Sequence, residues 1–177
     1  MPAAHVSRFP VDGPVTERLR LRAFRPDDLD PYAALCADAE VMRHIGAGGP
    51  VGREVAWRHL ALFIGSWVLK GHGMWAVERR SDGAFIGRVG FLDPPDWPGC
   101  ELGWTLAREA WGQGYAYEAS RAALDFGRRE LGLGELISLI RPANERSIRL
   151  ADRLGAVNTG PIEFMGNTAL LFRHAPP

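Results

Sequence analysis

Residues 101–118, E-L-G-W-T-L-A-R-E-A-W-G-Q-G-Y-A-Y-E, decide how this chain is read. They run from an alternating apolar segment through a glycine-rich turn into an alanine-rich helix, which the pattern extends from Tyr115 to about Leu131. Glycines at a strand-to-helix turn let backbone N–H groups approach a ligand with no Cβ in the way. The helix start adds unpaired donors and a partial positive charge, so the turn suits phosphate. A tight turn with no ligand is the plainer reading of a bare G-x-G. No G-K-[ST] closes the segment, which excludes a nucleotide P-loop. The preceding strand closes a meander instead of opening a βαβ unit, which excludes a dinucleotide fingerprint.

Upstream, R-L-R-L-R-A-F (18–24) alternates, with Leu19, Leu21 and Ala23 on one face and the arginines on the other, as in a half-buried strand. Pro26 and the acids after it open a helix that Pro31 splits or delays. G-A-G-G-P-V-G (46–52) is a loop. A second helix follows from about Arg53, with Val55, His59, Leu62 and Trp67 at helical spacing and Gly71 at its end. Segments 73–78 and 84–92 read as strands joined by Ser81-Asp82-Gly83, and D-P-P-D-W-P-G (93–99) leads to a third strand over 100–106. Downstream, 132–140 is a short buried strand. Residues 144–155 form a helix with Ser147, Leu150, Ala151 and Leu154 on one face and Gly155 as its cap. The tail adds one or two strands. The order β–α–α–β–β–β–α–β–α–β–β describes one domain of α/β (α+β) class over 16–177, after a loose lead-in over 1–15.

A length of 177 residues fits a single domain, and 21 basic against 21 acidic residues give no net charge. That balance removes the long-range field of a nucleic-acid or acidic-membrane binder. Two cysteines, Cys36 and Cys100, make neither a disulfide framework nor a metal cluster, and the five histidines lack zinc-site spacing. Apolar runs such as Leu60 to Ile64 fall far short of the ~18 residues of a membrane span. Arg8, Asp12 and Glu17 interrupt any apolar signal core. The expectation is a cytoplasmic protein with reduced thiols, no metal, and no nucleic-acid or membrane partner.

Residues 101–118 resemble the acyl-CoA pyrophosphate loop of the GCN5-related N-acetyltransferase (GNAT) superfamily. More narrowly they resemble its ribosomal-protein alanine acetyltransferase branch, where E-[IL]-G-[YW] runs into W-G-x-G-[YA]-A and an E-A helix. A-N-E-R-S-I-R-L-A-D-R-L-G-A (143–156) is similar to the branch's A-x-N-x-x-S-x-x-[LV]-x-x-[KR]-x-G segment, and T-E-R-L-R-L-R-A-F-R-P-D-D (16–28) to its opening. The blocks agree in order and spacing over nearly all of 16–173. The resemblance implies a mixed, mostly antiparallel twisted sheet of about seven strands flanked by about four helices. It also implies acetyl-CoA as cosubstrate, an amine acceptor, and an assembly that in this family is often a homodimer. The pyrophosphate would lie on Trp111, Gly112, Gln113, Gly114, Tyr115 and Ala116, and the pantetheine alongside the backbone of Trp104, Thr105 and Leu106. Asn144 would border the pantetheine and Ser147 the thioester sulfur. Trp111 stands where the wider pattern [QR]-x-x-G-x-[GA] has Gln or Arg, which leaves the first phosphate contact to backbone donors.

Glu101 and Ser147 are the candidate catalytic residues. By position, Asn144 is an N-cap and Ser147 a small residue of the first helical turn. Glu101 shares a strand face with Gly103 and Thr105. It is either a solvated carboxylate paired with an arginine such as Arg88, or a base facing the amine with its pKa raised by burial among Phe24, Trp75 and Phe91. A strand N–H near Trp104 or Thr105 would hold the oxyanion. The expected function is direct transfer of acetyl to a primary amine, on a protein N-terminus or a small molecule. The alternative is a non-catalytic CoA-binding or protein-interaction module on the same scaffold. No histidine receives a catalytic role, and the loops 45–52 and 93–99 do not identify the acceptor.

Overall fold

The computed structural model describes residues 12–175. Its elements are β1 (Leu19–Arg22), α1 (Leu29–Ala37), α2 (Ala39–Met42), α3 (Arg53–Lys70), β2 (Met74–Arg79), β3 (Phe85–Leu92), β4 (Glu101–Leu106), α4 (Tyr115–Arg129), β5 (Leu136–Ile140), α5 (Glu145–Arg153), β6 (Ala156–Phe164) and β7 (Asn167–His174). The strands form one sheet in the order β1-β2-β3-β4-β5-β7-β6. Every neighbouring pair is antiparallel except β4 and β5. Of the lead-in, residues 1–11 lie outside the described residues. Gly13 and Pro14 exchange backbone hydrogen bonds with Leu21.

The meander appears as the alternation requires. One sheet face carries Leu19, Leu21, Trp75, Val77, Val89, Phe91 and Leu102, packed on Ala119, Ala123 and Leu124 of α4. The other carries Met74 and Ala76, covered by α1 and α3. The buried stripe of α3 is Ala56, Leu60, Phe63 and Trp67, so the expected face is corrected by one residue: Leu62 is 45% exposed. Trp67 sets this rotation by donating its indole N–H to Met74 O at 3.0 Å. Pro31 sits in the first turn of α1, where no intrahelical N–H is needed, after a 3-10 turn at Pro26–Asp28. Helix α2 has no counterpart in the sequence reading and raises the helix count among the described residues to five. Asp38 caps it by accepting from the N–H groups of Glu40 and Val41.

Arg22 departs from the expected solvent-facing row of arginines. The turn before α1 lies over it, so it is buried, and Asp28 takes it in two bonds of 2.7 and 2.8 Å while Glu78 accepts from its Nε. Deleting one member would strand a buried charge, a cost of about 3–5 kcal/mol.

The parallel contact between β4 and β5 is a single register pair, Glu101 with Ile137, closed by Ile137 N–H to Cys100 O at 2.9 Å. Beyond it the strands separate. Ser138 Oγ holds the fork by donating to Leu102 O at 2.7 Å, and His174 Nε2 lies 2.9 Å from the same oxygen. With the hydroxyl proton committed to Leu102, Nε2 carries the ring proton and donates to Ser138. His174 Nδ1 is buried without a hydrogen-bond partner among the described residues.

Burial holds His174 down at about 4, with Arg128 adding to the shift. Between pH 4 and the ordinary value of ~6.5 the unfolded chain therefore binds a proton that the folded chain does not. Stability should be full above about pH 6.5, fall as the pH drops towards 4, and level off below it, by about 3 kcal/mol for a shift of this size. Urea denaturation of wild type and His174→Gln at pH 7 and pH 5 checks this: the variant should lose most of the difference between the two pH values.

Candidate functional site

The site begins with the hydrogen-bond parity of β4. Ala107 N–H bonds Ile86 O, so the odd-numbered residues of this strand face β3 and the even-numbered ones face the gap left by β5. Thr105 N–H is therefore used by the ladder, and Trp104 N–H is the one that opens into the gap. Leu106 O, next on that side, accepts the Trp111 indole N–H at 2.9 Å. Across the gap the Trp104 indole donates to Ser147 Oγ at 3.2 Å. Asn144 fills its N-cap role by accepting from Ser147 N–H at 3.3 Å.

On one side of the gap is a groove of about 1000 Å³, lined by Trp104, Thr105, Leu106, Trp111, Gly112, Gly114, Tyr115, Ala116, Asn144 and Ser147 among others. Gly112 and Gly114 take φ of 74° and 80°, a left-handed backbone that favours glycine and turns the first N–H groups of α4 outward. Gln113 is not in the lining: its amide donates to Glu109 O at 2.7 Å, so its side chain points away. Charge also reaches the groove from α5, beside the backbone donors of the turn. Arg146 lies 4.2 Å over the Trp111 ring and Arg153 4.5 Å over Tyr117, with Arg149 in the same wall. The turn is anchored from behind. Arg18 donates to Gln113 O at 2.9 Å, stacks 4.6 Å over Tyr115 and pairs with Glu118. Burial opposes the charge of Glu118, but bonds from Thr16 and Arg18 hold it below the usual carboxylate range.

On the other side is a cavity of about 470 Å³, and the two spaces share His44, Ile45, Trp104, Thr105, Asn144 and Ser147. Its floor carries Glu101, Gly103 and Thr105, the face expected for them. Burial pushes the Glu101 carboxyl up, against the Trp97 indole donating at 2.8 Å and a backbone N–H from Leu139. The proposed environment for Glu101 is corrected: Trp75 and Phe91 lie on the opposite sheet face, under α4, because strand alternation puts them level with Leu102. Arg88 makes no ion pair with Glu101. The loop 93–99 matters after all, since Trp97 both bonds Glu101 and packs edge-on against Phe164 at 4.6 Å. His59, left without a role by the sequence, lines this cavity with Tyr32 OH 3.3 Å from its Nδ1, and burial holds its pKa down. No local signal marks Arg88, Trp97 or His59, because each reaches the cavity through long-range pairing.

Residues 18–157 match the family model described as the acetyltransferase (GNAT) domain. The chain belongs to the GNAT acetyltransferase family. Among the relatives of this GNAT chain, Bacillus subtilis YkkB is 33% identical over 149 residues, covering 80% of this chain and 83% of YkkB. An acetyltransferase from Agrobacterium tumefaciens has a crystal structure with TM-score 0.83 at 30% identity, covering 93% of this chain and 95% of that one. RimL, a ribosomal L7/L12 alpha-N-protein acetyltransferase crystallised with coenzyme A, shares the GNAT fold at TM-score 0.77 and 17% identity, over 94% of this chain and 98% of RimL. No helix among the described residues is long and apolar enough to cross a membrane.

The Glu101 environment can be read directly. A carboxyl-carbon NMR titration should place its midpoint above the ordinary glutamate value. Trp97→Phe removes a donor that favours the charged form, so it should move the midpoint further up. A midpoint unchanged by Trp97→Phe would mean that the indole bond does not tune this carboxyl.

Proposed function

We propose that this chain transfers the acetyl group of acetyl-CoA directly to a primary amine, carried by a protein N-terminus or a small molecule. The observation that carries the proposal is the meeting of the two cavities at Trp104, Thr105, Asn144 and Ser147, where β4 presents an unpaired backbone edge. A pantetheine arm can add to that edge as an extra strand. The larger groove supplies what a pyrophosphate needs: a left-handed glycine turn, the N-terminus of a 15-residue helix and the arginines of α5. That RimL was crystallised with coenzyme A supports the same cosubstrate here. A module that only bound coenzyme A would have no use for a second cavity with a carboxyl of raised pKa on its floor.

The roles follow from the geometry. The amine nitrogen attacks the thioester carbonyl, forming the C–N bond as the C–S bond breaks. Most amines are protonated at pH 7, with ordinary values of ~8 for an α-amino group and ~10.4 for lysine. Glu101, directly or through a water, accepts the proton, and its raised pKa brings it nearer to that task. Trp104 N–H donates to the carbonyl oxygen as charge develops there. Ser147 Oγ already accepts from the Trp104 indole, so its own proton is free for the departing thiolate.

Gly114→Val puts a β-branched residue at a left-handed position and closes the backbone approach. The variant should fold and bind acetyl-CoA at least tenfold more weakly, ~1.4 kcal/mol; calorimetry that finds the wild-type affinity removes the pyrophosphate from this turn. Glu101→Gln should keep acetyl-CoA affinity and lose turnover at neutral pH, with part of the loss recovered at alkaline pH as free amine accumulates. Thiol release recorded from pH 6.5 to 9.5 reads this, and a loss equal at every pH would make Glu101 a positioning residue.

A further inference from the structure

Arg88 on β3 and Thr105 on β4 stand directly opposite in the antiparallel register, so both side chains leave the same face of the sheet. That face is the floor of the smaller cavity, and both residues line it. Each ends in a buried polar atom without a hydrogen-bond partner among the described residues, Nε of Arg88 and Oγ1 of Thr105. Buried orphans of this kind are uncommon, and two side by side in a cavity point to a ligand. A guanidinium N–H can only donate and a threonine hydroxyl can donate, so the atoms they lack are acceptors.

The charge around them says more. Arg88 lies 5.0 Å over the Phe63 ring, and its Nη1 reaches Met74 Sδ at 3.5 Å. It crosses Gly103, where an added Cβ would sit 3.9 Å from Nη1. No carboxylate among the described residues pairs with it. Burial pushes the Tyr32 hydroxyl, which also bonds Arg88, and the Cys36 thiol up and holds His59 and His44 down, so none of these supplies a negative charge. Glu101 acts on Arg88 only through space, and Arg141 in the same lining adds positive charge. A half-buried guanidinium with no carboxylate bonded to it suits a planar oxyanion, which it can take through two parallel bonds. Further along the same floor, Glu101 faces the place assigned to the amine.

We propose that the acceptor is a small amine that carries its own carboxylate, such as a free amino acid, held by Arg88 and Thr105 while its nitrogen lies towards Glu101. The inference rests on the acetyl-transfer reading above. A cavity of about 470 Å³ walled by Phe63, Met74, Leu92 and Phe164 favours an apolar side chain on that acceptor.

The test records thiol release from acetyl-CoA with apolar amino acids, their carboxamides, simple alkylamines, and peptides with an acidic second residue. Wild type should favour the amino acid over its carboxamide at least tenfold in kcat/KM, with the difference carried by KM. Arg88→Gln should bring that ratio to within about twofold of unity, and the near-isosteric Thr105→Val should lower it part of the way. Carboxamides used as well as the acids, or a ratio untouched in both variants, would overturn the inference and leave acetyl transfer standing. Turnover confined to the peptides would overturn the small acceptor. If acetyl-CoA binds and no amine releases thiol, acetyl transfer is what fails. Calorimetric titration of the coenzyme A-loaded protein with the same amino acids and carboxamides then decides this site separately, and equal binding of the two overturns it.

Discussion

The separation of β4 from β5 after one residue pair is the constraint on which the rest of the site depends. Two parallel strands that stayed in register would satisfy each other's backbone and leave nothing for a ligand. Here the ladder stops at Glu101 and Ile137, and the sheet continues on the far side through β7 and β6. The break is held open by specific contacts. Ser138 and His174 tie Leu102 to the β5 side, while Trp104 and Ser147 brace the gap from β4 to α5. A large buried aromatic core under α4 then keeps β4 where it is without help from its parallel neighbour.

The two sides of the gap solve different electrostatic problems. The larger groove is open, so its arginines on α5 stay solvated and lie flat on Trp111 and Tyr117, ready for a multiply charged ligand at little desolvation cost. The smaller cavity is lined by apolar residues. There burial raises a carboxyl and lowers a histidine, and among the described residues the buried Nε of Arg88 has no hydrogen-bond partner. The same physics that makes a surface arginine unremarkable makes Arg88 specific. By contrast Arg22, more deeply buried, is matched by Asp28 and Glu78 and joins β1, β2 and the first turn.

Elements that obey a local rule were legible in the sequence. The meander shows as period-two alternation between turn residues, and the glycine turn before α4 shows because a left-handed backbone favours glycine wherever it occurs. The inner face of α3 was misjudged because that helix is apolar nearly all round: Trp57, Val68 and Leu69 are exposed beside the buried stripe, so periodicity alone cannot choose. Arg22 was misjudged because alternation treats every arginine as outward. The smaller cavity was illegible for a topological reason. Arg88 meets Thr105 through strand register, Trp97 meets Phe164 through a β6 end far along the chain, and neither pairing leaves a mark on neighbouring residues.

The fork also explains why the candidate base stands at residue 101. Continuing the parallel ladder would send Leu139 N–H to Leu102 O as the next bond. Because the strands part, Leu102 O takes the Ser138 hydroxyl instead, and the released Leu139 N–H turns to the Glu101 carboxyl. Two residues further, Trp104 N–H is released as well. One local failure of pairing thus yields a braced carbonyl, a second donor for a buried carboxyl and a free N–H at the meeting of the two cavities. Glu101 occupies the last β4 position still held by β5, where a carboxyl is fixed in place and yet borders the opening. A glutamate two residues later, at Gly103, would meet Met74 and the Arg88 guanidinium, and would neutralise the charge that Arg88 brings to the floor.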